Sequence, residues 1–334
     1  MIDKIKIAVD AMGGEKAPNK IIEGIKISLK KNKDNFFLLY GQESVLNNEL
    51  KSFPNIKDNC KIINATDVIL DEESPLTAAK RGKDSSMWKS IQAQKDGQAD
   101  ITLSAGNTGA LLVISRLILK SLENIDKPAL AGLWPSQTAT NVVLDLGANI
   151  ECNEKNLIEF SEMGSALFKS LFPNDKPKVA LLNVGLEEIK GNEILKKAFN
   201  FLKNNKNSEF DFEGFIEGNH IMDGDVDVII SDGFTGNIAL KTAEGTANFI
   251  SKNLKNSLNK LSILLSYKSL KRFKNKLDPR NYNGAIFLGL QKPVVKSHGG
   301  TDSIGFANSI NVCNKIVKAN LIKKIESNLI TVDA

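Results

Sequence analysis

The sequence predicts an α/β protein, a doubly wound α/β/α sandwich, with a projecting helical hairpin at about 245–280. Three observations predict it. Short apolar runs alternate with helical patterns along the whole chain, as expected of strands and helices wound in succession. No low-complexity linker interrupts that alternation, so 1–334 reads as one architecture. Two segments, ADITLSAGNTG at 99–109 and VDVIISDGFTG at 226–236, share a template: an apolar run, then Ser-x-Gly-x-Thr-Gly, then a helical pattern.

The elements follow in order. A strand at 5–10 runs into DAMGGEKAP. Asp10 ends that strand, and Gly13 and Gly14 let backbone approach a ligand at the edge where open α/β sheets bind theirs. A tight strand-to-helix turn with Asp10 as a local cap is the equal alternative. A helix at 19–31, strands at 36–40 and 61–65 and one helix over 76–95 come next. The strand 101–104 delivers the first matched turn, where Gly106, Asn107, Thr108 and Gly109 open a helix at 109–120. Free N–H groups and the helix dipole make such a turn an oxyanion site. Helix capping alone is the plainer alternative.

Strands at 129–133 and 142–146 follow, the second ending in DLGAN with Asp145 and Asn149. After a helix at 155–171, the strand 179–184 runs into NVGLEEIKGN. There Asn183 closes the strand, and Lys190, before the helix 191–203, either neutralises an oxyanion or is merely solvated. Strands at 212–216 and 228–231 lead to the second matched turn, with Asp232, Gly233, Thr235, Gly236 and Asn237. Lys241 lies one turn inside the helix that starts at 236. Two matched turns at strand ends of one sheet favour an anion site built from both. A last strand at 286–290 precedes VVKSHGG, where His298 serves either as a proton donor or acceptor or as a structural histidine.

Composition narrows the setting. At 42% hydrophobic and 25% charged, the 334 residues can bury a large core. Cys60, Cys152 and Cys313 form no C-x-x-C pair, so disulfide and zinc readings are weak and a reducing cytoplasm fits. The opening MIDKIKIAVD reads as a strand and not as a signal peptide. No apolar run approaches the length a bilayer requires. The net charge of +5 is local: 251–276 holds eight Lys/Arg and no Asp/Glu, and without them the rest carries −3. A nucleic-acid surface is therefore not expected. In the basic stretch Ile250, Leu254, Leu258, Leu261 and Leu265 recur at helical spacing, and ILLSY at 263–267 forms an uncharged tip. That pattern suits an anionic membrane surface or a dimer-packing helix pair. G-x-G, G-K-[ST], H-E-x-x-H and G-x-S-x-G are all missing, which removes the commonest nucleotide, zinc and hydrolase signatures.

Together these segments resemble the bacterial PlsX-type phosphate acyltransferase family nearly end to end. IAVDAMGGEKAP, SPLTAAKRGKDSSM at 74–87, SAGNTGALL, DLGAN, NVGLEEIKGN, SDGFTGNIALKTAEG and VKSHGG stand in that family's order. One departure is Glu15, where the family usually has Asp. The resemblance implies acyl transfer from acyl carrier protein to inorganic phosphate, giving acyl phosphate for phospholipid synthesis, with no cofactor or metal. It also implies a homodimer with a Rossmann-like fold of the isocitrate/isopropylmalate dehydrogenase type, and a membrane-contacting helical tip matching 245–276.

On that basis the turns at 107–109 and 233–237 are expected to hold phosphate. Lys190 would stabilise charge, helped by Lys241, and His298 would be a modest general acid. The catalytic candidates are thus Lys190, His298 and Asn107. Lys80, Arg81 and Lys83 are the candidates for docking an acidic carrier protein. Leu261, Ile263, Leu264, Leu265 and Tyr267 are those for peripheral contact with the inner face of the membrane. Two rivals stay open: an NAD-dependent dehydrogenase of the isopropylmalate type, and a non-catalytic membrane or carrier-protein scaffold.

Overall fold

The structure, a computed structural model, describes residues 4–172, 176–205, 209–257, 266–276 and 278–329. Its strands are β1 (Lys6–Asp10), β2 (Phe36–Gly41), β3 (Cys60–Asn64), β4 (Ile101–Ser104), β5 (Ala129–Pro135), β6 (Thr140–Leu144), β7 (Lys178–Asn183), β8 (Asp211–Glu217), β9 (Val228–Ile230), β10 (Ala285–Leu288) and β11 (Val294–Lys296). They form one sheet in the order β3-β2-β1-β4-β11-β10-β5-β6-β9-β7-β8.

Alternate side chains of each strand enter opposite apolar layers, as the pleat requires. Val142 and Leu144 join one layer and Val143 the other; Ile229 stands opposite Val228 and Ile230. Helices α1 (Asn19–Leu29), α2 (Glu43–Leu50), α6 (Glu154–Leu171), α7 (Glu193–Asn204), α10 (Ser303–Ala319) and α11 (Leu321–Asn328) close the first layer. Helices α3 (Pro75–Arg81), α4 (Ser86–Lys95), α5 (Thr108–Leu119) and the start of α8 (Gly233–Ser257) close the second. Both faces are covered, so the strands read as apolar runs rather than as alternating ones.

The sheet is mixed, where parallel strands were predicted. β3, β2, β1, β4 and β11 run one way, and β6, β9, β7 and β8 run the other. The reversal passes through the antiparallel pairs β11–β10, β10–β5 and β5–β6. Loop length is one cause: residues 136–139 join β5 to β6 and 289–293 join β10 to β11, too few for the parallel crossover of roughly a dozen residues. As a result β4 and β9 point in opposite directions. The two matched turns therefore lie at opposite edges of the sheet, not side by side.

The helix predicted over 76–95 is broken. α3 ends at Gly82, a 3-10 turn covers Gly82–Asp84, and the Ser85 side chain caps α4 by accepting from the Trp88 amide. Strand β11 and helices α2, α10 and α11 were not among the predicted elements. α8 starts at Gly233 rather than 236, and only Gly233 and Gly236 in its 25 residues are buried. Phe249 and Ile250 stand exposed along it, as do Tyr267 and Phe273 on α9 (Tyr267–Lys276). The Lys276 ammonium donates to the Gln137 carbonyl at 2.7 Å. The membrane candidates Leu261, Ile263, Leu264 and Leu265 lie outside the described residues. Among the described residues, no helix is long and apolar enough to cross a membrane.

Candidate active site

Three strands end side by side at the first edge. Register sets Asp10 beside Ser104 and Ser104 beside Lys296. Asp10 is buried and accepts from the Ser86 hydroxyl at 2.5 Å and the Ser104 hydroxyl at 2.7 Å. Burial pushes its carboxyl above the usual range, against the pull of these serines, the Met12 amide and Lys296. Asp10 is thus an internal fastener and not a ligand-facing group. Gly13 packs on it: a Cβ there would lie 2.5 Å from Asp10 Oδ2 and 2.7 Å from the Gly106 amide nitrogen.

Two lysines that the sequence reading missed meet at this edge. Lys20, at the start of α1, and Lys296, at the end of β11, are both buried. The Lys20 ammonium donates to the Gly299 carbonyl. The Lys296 ammonium donates to the Ser297 carbonyl and, at 3.5 Å, to that of Ala105. These contacts gather round Gly14, whose φ of +81° favours glycine. A Cβ there would meet the Ala105 carbonyl at 2.7 Å, and the Gly299 carbonyl and Lys20 Nζ at 3.1 Å. Burial pushes the Lys296 ammonium down to about 8; Lys20 adds to the fall, while Asp71 and Asp10 oppose it. Burial lowers Lys20 as well, opposed by Glu15 and Asp71. A signal was present for Lys296, which ends the apolar run PVV at 293–295, where a charge must have a partner or a task; Lys20, between Asn19 and Ile21, gave none.

His298 follows directly. Its backbone N–H donates to Asn283 Oδ1 at 2.9 Å, and its ring Nδ1 accepts from the Gly300 amide at 3.1 Å. An accepting Nδ1 leaves the proton of the neutral ring on Nε2. The residue is exposed, and partial desolvation, helped by the Lys296 charge, lowers its pKa. Lys241 and Glu244, paired at 2.8 Å on α8, lie within electrostatic reach of the ring. α8 begins at the far edge, and its run back across the sheet carries these two residues here.

The side chain of Asn107, a catalytic candidate, fastens loop to helix in this structure. Its Oδ1 caps α5 by accepting from the Ala110 amide at 3.0 Å. Its Nδ2 donates to the carbonyls of Leu70, Asp71 and Glu73 at 3.3, 2.9 and 2.9 Å. Thr108 is exposed beside it, and Gly109 packs under Pro75.

At the second edge the polar atoms are spent on one another. Asp145 accepts from the amides of Leu130, Gly147, Ala148 and Asn149 and from Asn149 Nδ2, at 2.7–3.1 Å. Asp232 accepts from the Thr235 amide and hydroxyl, both at 2.8 Å. The Gly233 amide donates to the Asn149 carbonyl, the Gly236 amide to that of Asp232, and Asn237 Nδ2 to that of Leu146. Capping and packing are what this turn does. A Cβ on Gly236 would lie 2.0 Å from the Asp145 carbonyl oxygen, so the glycine permits a close approach.

Lys190 belongs to this second edge as well. Asn183 Nδ2 donates to the Gly185 and Lys190 carbonyls and shapes the loop, leaving the Lys190 side chain exposed. Within one chain the structure does not bring Lys190 to His298. Lys80, Arg81 and Lys83 are exposed. Arg81, however, is paired with Glu73, whose carboxyl the guanidinium holds below its usual range.

A family described as a fatty acid synthesis protein matches residues 5–324. A phosphate acyltransferase of Pelagibacter ubique (strain HTCC1062) is 58% identical, over 97% of this chain and 98% of its own length. One from Afipia carboxidovorans is 43% identical, over 97% of this chain and 94% of its own. The fold is shared with EutD phosphotransacetylase from Staphylococcus aureus (TM-score 0.62, 15% identity, 95% of this chain and 94% of that one). It is shared too with a phosphotransacetylase from Streptococcus pyogenes (TM-score 0.63, 15% identity, 97% and 95%). Matched end to end at that identity, the chain belongs to the phosphate acyltransferase family.

Proposed function

We propose that this acyltransferase moves a fatty acyl group from the thioester of acyl carrier protein to inorganic phosphate, giving acyl phosphate for phospholipid synthesis. The observation that carries the reading is the pair of buried ammonium groups of Lys20 and Lys296 beside His298. Phosphate would take the place of the backbone carbonyls that now accept from these lysines, beside Gly14, where no side chain stands in its way. An anion so held is stripped of water and aimed at the thioester carbonyl, the arrangement that favours attack. The His298 Nε2–H would face the oxyanion that develops on that carbonyl. The Lys296 ammonium, at about 8, is matched to a thiol of pKa about 8.5 and would protonate the departing sulfur.

Lys190, at the other edge of its own sheet, would serve the site of a partner protomer in a homodimer. The exposed apolar side chains of α8 and α9 support such a partner. Those helices and the basic segment 251–276 would also make peripheral contact with an anionic membrane on the cytoplasmic side. Lys80 and Lys83, the unpaired members of the basic group on and after α3, would dock the acidic carrier. The test is to incubate the protein with acyl carrier thioester, phosphate and hydroxylamine. Acyl hydroxamate that depends on phosphate is expected; hydroxamate at the same rate without phosphate, or none at all, would sink the reading.

A further inference from the structure

The donors at the first edge cannot tell two common anions apart. Phosphate and sulfate share a tetrahedral shape, and ammonium groups and amides bind either. Only an acceptor separates them. Around neutral pH inorganic phosphate keeps at least one proton to donate, whereas sulfate has none and meets a carboxylate as a like charge.

One carboxylate faces both lysines. Asp71 lies within electrostatic reach of Lys20 and of Lys296. Its Oδ2 is 4.0 Å from the place a Cβ on Gly299 would take, and the Gly299 carbonyl is the one that holds Lys20. Its position is set by the β4 turn, because Asn107 Nδ2 donates to the Asp71 carbonyl at 2.9 Å and also to the carbonyls of Leu70 and Glu73. The pair Glu73–Arg81 ties the same loop to α3. The other nearby carboxylates are placed differently. Both Asp10 oxygens are taken by serines, and Glu15 approaches from the β1 side, toward Lys20 and Gly300.

We propose that Asp71 is the residue that selects phosphate over sulfate, by accepting the proton that hydrogen phosphate carries. The proposal rests on the phosphate site described above. That proton is also the one the reaction must move. As the phosphate oxygen bonds to the acyl carbon and the carbon–sulfur bond breaks, hydrogen phosphate loses its proton and the carrier thiolate gains one. Proton and electron count balance without an outside acid, and Asp71 stands where the departing proton begins.

The experiment follows thermal unfolding of the full chain in matched titrations with sodium phosphate and sodium sulfate. Wild type, Asp71→Asn, Glu15→Gln and Lys296→Met are compared at one ionic strength. Wild type should be stabilised by phosphate at concentrations where sulfate has no effect. Asp71→Asn should bind sulfate at least about tenfold more tightly than wild type does, erasing the preference, since a site built to pair a polar group loses its selectivity with that group. Glu15→Gln should keep the preference, and Lys296→Met should respond weakly to both anions. Sulfate should correspondingly become an inhibitor of acyl phosphate formation in Asp71→Asn. Equal stabilisation of wild type by both anions, or an intact preference in Asp71→Asn, would overturn the role of Asp71. No response of wild type to phosphate would overturn the phosphate site itself.

Discussion

Asn107 holds Asp71 through its main chain: the side-chain amide of one donates to the carbonyl of the other at 2.9 Å. The same side chain caps α5 from its other end. Asn107→Ala therefore removes a cap worth about 1 kcal/mol and leaves three loop carbonyls short of a donor. A loss of roughly 2–3 kcal/mol is expected in urea unfolding, with the phosphate preference weakened alongside. A variant as stable as wild type would show that loop and helix do not depend on this side chain.

Lys296 gives the pH dependence a definite sign. Its folded pKa of about 8 lies below the ordinary 10.5. Between those values the unfolded chain binds the extra proton, so this group's effect on stability improves as pH rises from 8 to 10.5. Below pH 8 its burial costs about 3 kcal/mol. Lys296→Met should be the more stable protein at pH 7 and lose that advantage by pH 10.5. Turnover runs the other way: kcat/KM for phosphate should fall in wild type as the ammonium is lost above pH 8. A stability gap that does not change with pH would rule out this account.

Glu159 is a second buried charge, with burial pushing its carboxyl up to about 7. Here the folded pKa is the higher one, so stability falls as pH climbs from 4.5 to 7. Glu159→Gln keeps an acceptor for the Asp126 amide and cannot ionise. At pH 8 it should be about 3 kcal/mol more stable than wild type, with little difference at pH 4.5. Chemical unfolding at the two pH values decides it.

Gly236 tests whether the second matched turn is packing. A Cβ there would meet the Asp145 carbonyl oxygen at 2.0 Å, and backbone cannot move aside cheaply. Gly236→Ala should cost about 2–3 kcal/mol or more. On the exposed part of the same helix nothing lies within 4 Å of a Cβ on Gly245. Gly245→Ala should instead stabilise by roughly 0.5–1 kcal/mol. Comparable effects at the two positions would contradict the packing assignment.

Lys190 and His298 occupy opposite edges of one chain's sheet, which makes subunit sharing measurable. Lys190→Ala and His298→Ala are each expected to lower turnover about 10²-fold. Co-expressed, they should recover about a quarter of wild-type activity, since half the dimers are mixed and each mixed dimer has one intact site. Absence of recovery would confine Lys190 to its own chain.

Much of this was legible in the residues. Strand ends such as Asp10 and Asn183 announced themselves because apolar runs stop at turn chemistry. The direction of β10, β5 and β6 was not legible, because a buried antiparallel strand and a buried parallel one carry the same apolar run. The shared Ser-x-Gly-x-Thr-Gly template was real but ambiguous: around Gly236 it serves close packing, which the same glycines would satisfy as well as a ligand would. Lys20 and Lys296 were hidden by their type, since lysines are usually solvated; only the apolar run before Lys296 set that one apart.

The carbonyls round Gly14 carry a last consequence. Lys20 and Lys296 have already surrendered their water to the fold, and each ammonium is oriented by main-chain oxygens. Dehydrating two cations is thus an expense of folding and not of catalysis. An anion held as proposed would trade oxygen for oxygen at a preset address, so its capture would need little rearrangement of the cations and would depend chiefly on shedding its own hydration shell.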